Sequence, residues 1–390
     1  MKKALYILVF LLALAGIGYL VTKPGGKQDI VTKELPNDGF ILIHRTIAGE
    51  AYLLDMTGRR FHSWKKPIKG WEWDYVELLP NGDLIVVIKE KGILILDWNN
   101  QAKWNSPEIP AHHDIERLPS GAMYVVANDF GYVGMRKVLM DAIVKLEPTG
   151  ELPWSWRLVD HLEELDHYDA IVKSAAFLQE GDSLSHMNSV SLVPPNPLSS
   201  DPRFRPGNLM ATLRNFNTII IIDKESEKIV WQWGSDRLDG PHHGHMLPNG
   251  RIVVFDNGRQ RGYSQVLELD PKNKKVEWEY GGKSYGEKNF FYSPTRGAVQ
   301  LMPDGGYLVS DATNGLFFWV RRESKELRWY YQDPVIKKMK DDYMAEHGVM
   351  MPKNHRNRQL KVVASHRGLW LPTSFIKNIL AAGGAPRSVP

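Results

Sequence analysis

Cysteine is absent from all 390 residues. That absence excludes disulfides, thiolate nucleophiles, iron–sulfur clusters and Cys-ligated zinc together. Charge of one sign is also scarce, because 49 basic and 45 acidic residues leave a formal charge of only +4. So small an excess, with no Lys/Arg block or basic helix, argues against nucleic acid as a partner. With 43% hydrophobic and 24% charged residues, the chain is neither disordered nor collagen-like. Its abundant residues are turn formers and aromatics, with 33 Gly and 13 Trp. That balance favours an all-β repeat protein over several small cores.

The N-terminus reads Met1-Lys2-Lys3 and then an apolar run from Ala4 to Val21. At 18 residues this run sits at the lower edge of what spans a bilayer. A secretory signal cleaved after Ala13-Leu14-Ala15 is the alternative. Because the run continues unbroken to Val21, the sequence favours an uncleaved anchor over residues 1–21. A linker at 22–28 follows, and the bulk of the chain is expected outside the cytoplasm, in the periplasm or at the cell surface. Beyond Gln332 the pattern changes. Helical spacing at Pro334 to Glu346 and at Thr373 to Ala382 predicts a partly helical C-terminal extension over 333–390 that caps or closes the main domain.

Between these ends, one turn recurs. Leu35-Pro36-Asn37-Asp38-Gly39, Leu79-Pro80-Asn81-Gly82, Leu118-Pro119-Ser120-Gly121, Leu247-Pro248-Asn249-Gly250 and Met302-Pro303-Asp304-Gly305 each precede a β-rich run. A stretched copy runs from Val193-Pro194 to Gly207. A second marker follows each turn: an apolar run, usually an acid, then Trp. Its copies are Asp55…Trp64, Asp97…Trp104, Glu147…Trp154 with Trp156, Asp223…Trp231 with Trp233, Asp270…Trp278 and, with Arg for the acid, Arg321…Trp329. Two independent markers both count six. Each unit has the content of a four-stranded blade, so a six-bladed β-propeller is expected over 29–332. A helical insertion is expected near 158–178.

The first strand of each blade lines a propeller's channel, so equivalent positions share one pocket. Five residues before the turn Leu or its equivalent stand Ile30, Asp74, His113, Asn188, His242 and Gly297. Arg296 adjoins Gly297, and strand alternation puts His186 on the same face as Asn188. By the same alternation His243 turns into the blade packing. Seven residues past the turn glycine come Lys89, Asn128, Arg214 and Asn257. This polar, cationic ring suits an anionic ligand. Three imidazoles would also suit zinc with an open position, but Arg214 on the same channel repels a cation and the acids Asp74 and Asp114 are few. No metal and no cofactor is expected.

Four segments then carry a resemblance. They are His113-Asp114, His186-Met187-Asn188-Ser189-Val190, Leu213-Arg214-Asn215, and His242 ahead of Asp256-Asn257-Gly258 with Trp278-Glu279-Tyr280-Gly281 closing the unit. In this order they resemble the arylsulfotransferase family, bacterial aryl-sulfate sulfotransferases that need no nucleotide sulfate donor. The resemblance implies that His242 takes the sulfuryl group, with His243 as the alternative nucleophile. It further implies that His113, His186 and Arg214 bind the anion and move protons. Asn188, Asn257 and His243 are the implied substrate-binding residues, and an aryl sulfate and a phenol the partners, besides the membrane through the N-terminal run. The chain departs from well-known members, which carry a cysteine pair and an N-terminal β-sandwich domain. A non-catalytic, membrane-tethered binding propeller and a metal-dependent propeller hydrolase are the competing readings.

Overall fold

The computed structural model describes residues 38–66, 68–178, 182–283, 287, 289–347 and 367–383. The expected anchor, the linker, Ile30 and the turn residues Leu35 to Asn37 lie outside the described residues. Among the described residues no helix is long and apolar enough to cross a membrane.

The described strands form six antiparallel sheets of four strands each, a six-bladed propeller. Blades 2 to 6 are consecutive in sequence: 73–105, 111–157, 187–233, 242–280 and 298–332. Blade 1 is assembled from both ends of the described chain. Residues 40–65 give three strands, and the inner position is filled by Leu369–Leu371, antiparallel to Phe40–Arg45. The inner strand of this blade therefore comes from beyond residue 332, out of the segment expected to close the domain.

Both repeat markers have local causes. In the turns, Pro fixes φ at the second position and Gly takes the left-handed conformation at the fourth. The Gly82, Gly121, Gly250 and Gly305 amides each donate to the carbonyl of the residue three before, at 2.9 Å. The acid of the second marker caps the next hairpin turn. Asp97 Oδ1 accepts the Gln101 amide at 2.7 Å, and Asp223 and Asp270 do likewise. Tryptophans then tie five of the six blades to their successors. The indoles of Trp64, Trp156, Trp231 and Trp278 donate to carbonyls of Asp97, Glu227, Pro271 and Arg322, and Trp329 of blade 6 donates to Met56 of blade 1 at 2.8 Å. Between every pair of neighbouring blades lies one buried apolar cluster, six in all. The ring's stability thus resides between blades.

Blade 3 differs. The second strands of blades 2, 4, 5 and 6 end six positions after the turn glycine, as from Gly250 to Asp256. In blade 3 that strand is Met123–Val133, and its partner Arg136–Leu146 returns beside it. The extra length overhangs the ring by about 20 Å at ~3.3 Å per residue. The predicted insertion forms a 3₁₀ helix at Leu158–Glu164 and an α-helix at Tyr168–Ala175. Leu158, Leu162 and Ile171 pack it onto Val133, Val138 and Met140 of the overhang. Phe130, Tyr132, Met135 and Phe177 remain exposed there.

After blade 6 comes the helix Pro334–His347. After the closing strand comes the helix Thr373–Ala381, which buries Ile376 and Ile379 in the cluster between blades 1 and 2.

Candidate active site

The inner strands are irregular where they carry the site. Register shifts fall between Trp73 and Tyr75, Ala111 and Ile115, Met187 and Ser189, and His242 and His245. His113, His186, His243 and Arg296 take positive φ of 57°, 53°, 44° and 64°. A bulge breaks the strict in-and-out alternation and aims adjacent side chains at one space. Left-handed backbone at non-glycine residues is strained and clusters at functional sites. His186 reaches the channel through such a residue just before the strand Met187–Leu192 rather than through strand alternation. His243 is likewise turned out of the blade packing and lines the channel beside His242.

His242 opens the strand His242–Met246 and is 4% exposed. Its tautomer follows from its neighbours. The Asn257 Nδ2 group donates to the carbonyls of Ser293 and Arg296, both at 2.7 Å. Asn257 Oδ1 is therefore fixed toward His242 Nδ1, 2.7 Å away, and this nitrogen must carry the proton. The Nε2 lone pair accepts the Arg296 backbone N–H at 3.1 Å. Burial, reinforced by the Arg214 charge, pulls the His242 pKa down to about 3. The ring is neutral throughout the physiological range.

His113 and His186 stand edge to face, with centroids 4.8 Å apart. His113 Nδ1 is 2.7 Å from Nδ1 of His112. His112 Nε2 in turn lies 2.9 Å from Asp141 Oδ1, off-line for a hydrogen bond. The other Asp141 oxygen accepts the Met187 amide at 2.8 Å and the Ser185 hydroxyl, fixing the backbone on either side of His186. Burial, then the charge of Arg214, holds His186 well below the usual histidine range.

Arg214 directly follows the second strand of blade 4, and its amide donates to the His186 carbonyl at 3.1 Å. Among the described residues no carboxylate is within ion-pair distance of its guanidinium, whose Nε donates to Asn215 Oδ1 at 3.1 Å. Burial, with Arg259 nearby, lowers its pKa to about 9. A half-buried guanidinium with no carboxylate at ion-pair distance suits an anion. Asn188 donates to the Pro241 carbonyl at 2.9 Å and leaves its buried Oδ1 without a partner. His243 Nδ1 accepts the Val299 amide at 3.2 Å, so its Nε2 carries the proton.

His113, Asn188, His242 and His243 together line a small cavity of about 10 Å³, about the room one water needs. The site residues read from the sequence thus converge: these four border the cavity, Asn257 orients His242, and the Arg214 charge acts on both His186 and His242. Gly297 completes the wall, where a Cβ would meet the Phe255 ring at 2.4 Å. Lys89 and Asn128 lie outside the cavity wall, although the Lys89 charge helps to lower the pKa of His186. Lys89 pairs with Glu72 at 3.9 Å, and Asn128 opposes Asp141 at the root of the overhang.

Sequence reading missed Arg367, which joins Tyr75 in the cavity wall and donates to Asp114 Oδ2 at 3.1 Å. The available signal was Leu371-Pro372, a further Leu-Pro pair after an apolar stretch. It missed His112 as well, although that residue adjoins His113.

A family model described as Arylsulfotransferase (ASST) matches residues 75–329. No curated protein matches the sequence. Among solved structures, a protein of unknown function from Bacteroides caccae is 13% identical with a TM-score of 0.51, covering 77% of this chain and 95% of that one. The WD40 propeller domain of Doa1 is 10% identical with a TM-score of 0.46, over 78% of this chain and 85% of its own. Streptogramin B lyase is 12% identical with a TM-score of 0.46, over 78% and 87%. At such identities, likeness bears on the fold alone.

Proposed function

The chain belongs to the arylsulfotransferase family, and from that premise we propose that it moves a sulfuryl group from an aryl sulfate to a phenol through a sulfohistidine at His242. The observation that carries this reading is a buried, neutral imidazole whose proton is fixed on Nδ1 by Asn257, beside a guanidinium without a counter-ion.

In the first half-reaction, His242 Nε2 gives its lone pair to sulfur. The N–S bond forms, the S–O(aryl) bond breaks, and the phenoxide departs with the electron pair. The lone pair must first exchange the Arg296 amide for sulfur. Arg214 offers a planar fork to the remaining oxygens, where donors already in place need no reorganisation. As the ring becomes cationic, Asn257 Oδ1 steadies its Nδ1–H. In the second half-reaction, the acceptor phenol gives its proton to His186 or His113 and its oxygen takes the sulfuryl group as the N–S bond breaks. That proton balances the one taken up by the departed phenoxide.

The test is release of a chromogenic phenolate from an aryl sulfate, with and without a phenol acceptor. Release that requires the acceptor, with sulfate recovered on it, is expected. A protein that releases nothing from several aryl sulfates, or releases inorganic sulfate without an acceptor, does not fit.

Two further results are expected. Protonation would take the nucleophilic lone pair, and the His242 pKa lies at about 3. The transfer rate at limiting substrate therefore stays level from about pH 8 down to about pH 5, where an ordinary histidine has lost most of its neutral form. An acid limb near 6.5 in a pH–rate profile would mean that His242 is not buried as described. Replacing Asn257 with alanine frees the tautomer and is expected to cost about 10- to 100-fold in turnover. A purely structural role for Asn257 would instead lower the melting temperature and leave the turnover of folded protein intact.

A further inference from the structure

Tyr75, His243 and Arg367 line both the small cavity and a second, larger space. They form a constriction, beyond which the channel widens into a chamber of about 590 Å³ bordered by the turn residues Pro194 and Pro248. That volume is in the range that takes a small organic ligand. Part of its wall is apolar, from Leu192, Met246, Leu369 and Trp370. The rest holds three carboxylates, Glu77, Asp114 and Glu116, against two guanidiniums. Glu77 pairs with Arg117 at 3.1 Å, and Asp114 with Arg367 at 3.1 Å. Glu116 has no cation within ion-pair distance among the described residues. Asp114, 2% exposed, also leaves its Oδ1 without a hydrogen-bond partner, as do Ser191 Oγ and His245 Nδ1 on the same wall.

We propose that this chamber is a second ligand site, which binds a small organic ammonium ion with Glu116 as its counter-charge. The room has one carboxylate more than it has cations, and its unfilled polar atoms include an acceptor beside that excess charge. The Tyr75 ring is already faced by the Arg367 guanidinium at 4.8 Å, and the Trp370 ring in the same wall favours a cation carrying an apolar body. An inorganic cation is disfavoured, since no group of three His, Asp or Glu among the described residues comes close enough to hold one.

The ionisation of the wall agrees. Burial, then the charges of Asp114 and Glu77, pushes Glu116 up to about 7. His245 is lowered to about 4 and His243 well below its usual range, both by burial. Asp114 is raised by burial and opposed by Arg367. Burial also raises Tyr75 far above neutrality, and Arg367 stays cationic beside Asp114. Glu116 is thus a wall group whose charge changes near neutral pH. A bound ammonium must draw a proton off it.

Calorimetry on the intact chain with phenethylammonium chloride, and with 2-phenylethanol as its neutral counterpart, tests this. One binding site is expected for the ammonium, with the alcohol at least about tenfold weaker. Binding should strengthen between about pH 6 and pH 8 and release a proton. Glu116→Gln should weaken binding about tenfold and remove its pH dependence. No binding at millimolar ammonium, equal binding of the alcohol, or binding indifferent to Glu116→Gln would each overturn the proposal. His242→Ala should bind the ammonium unchanged, so failure here is separable from failure of the sulfuryl-transfer reading.

Discussion

Replacing His242 with alanine is expected to lower sulfuryl transfer by at least about 10³-fold, the scale seen when a group that forms the covalent intermediate is removed. The fold should survive, because His242 occupies the end of an inner strand and contributes to none of the six apolar clusters. Its neighbour offers a sharp control. The His243 Nδ1 lone pair accepts the Val299 amide, so its other nitrogen bears a proton and has no lone pair to give. His243→Ala should therefore cost far less than His242→Ala. Steady-state rates for the two variants, read beside their melting temperatures, decide the matter. A His242→Ala enzyme within tenfold of the parent would remove His242 from the reaction, and a large loss confined to His243→Ala would transfer the role.

Ending the chain before Arg367 is expected to be the most destructive change to the fold. Blade 1 would lose its inner strand, and the cluster between blades 1 and 2 would lose Ile376 and Ile379, each worth roughly 1.5–3 kcal/mol when buried. A stitch between blades 6 and 1 would also go. Gln300 accepts the Trp370 amide at 2.8 Å and donates to the Trp370 carbonyl at 3.1 Å. Asp114 would be left buried without its guanidinium, a penalty of several kcal/mol. Against a total stability of about 5–15 kcal/mol these losses are decisive. The truncated chain should show no cooperative melting transition. A truncated protein that still melts cooperatively would mean that the closing strand is dispensable.

The propeller was legible because its two markers have local causes. The turn needs Pro and a left-handed Gly, the hairpin needs a capping acid, and the inter-blade seam needs an indole donor, so each leaves a residue at fixed spacing. Blade 2 shows the limit of the rule: Trp104 packs beside the cluster between blades 2 and 3, but its blade is held mainly by aliphatic contacts. The positions of His113, Asn188 and His242 were legible for the same reason, being counted back from the turn. Counting could not foresee the bulges. A register shift depends on how two strands meet, so the orientation of His243 and the route of His186 are properties of the pairing. Arg367 was hidden for a topological reason. It sits far from its blade in sequence, and nothing local to residues 40–65 announces where their fourth strand originates.

That arrangement sets an order on synthesis. A ribosome makes blades 2 to 6 before the strand that completes blade 1 exists. Each of these can settle against its predecessor as it emerges, while Phe40–Arg45 waits as an uncovered edge, open to pairing with any other chain. Arg367 arrives only with the closing strand, so the charge that satisfies Asp114 enters the channel at the moment the ring is sealed. A chain released early has five finished blades and an Asp114 without its guanidinium.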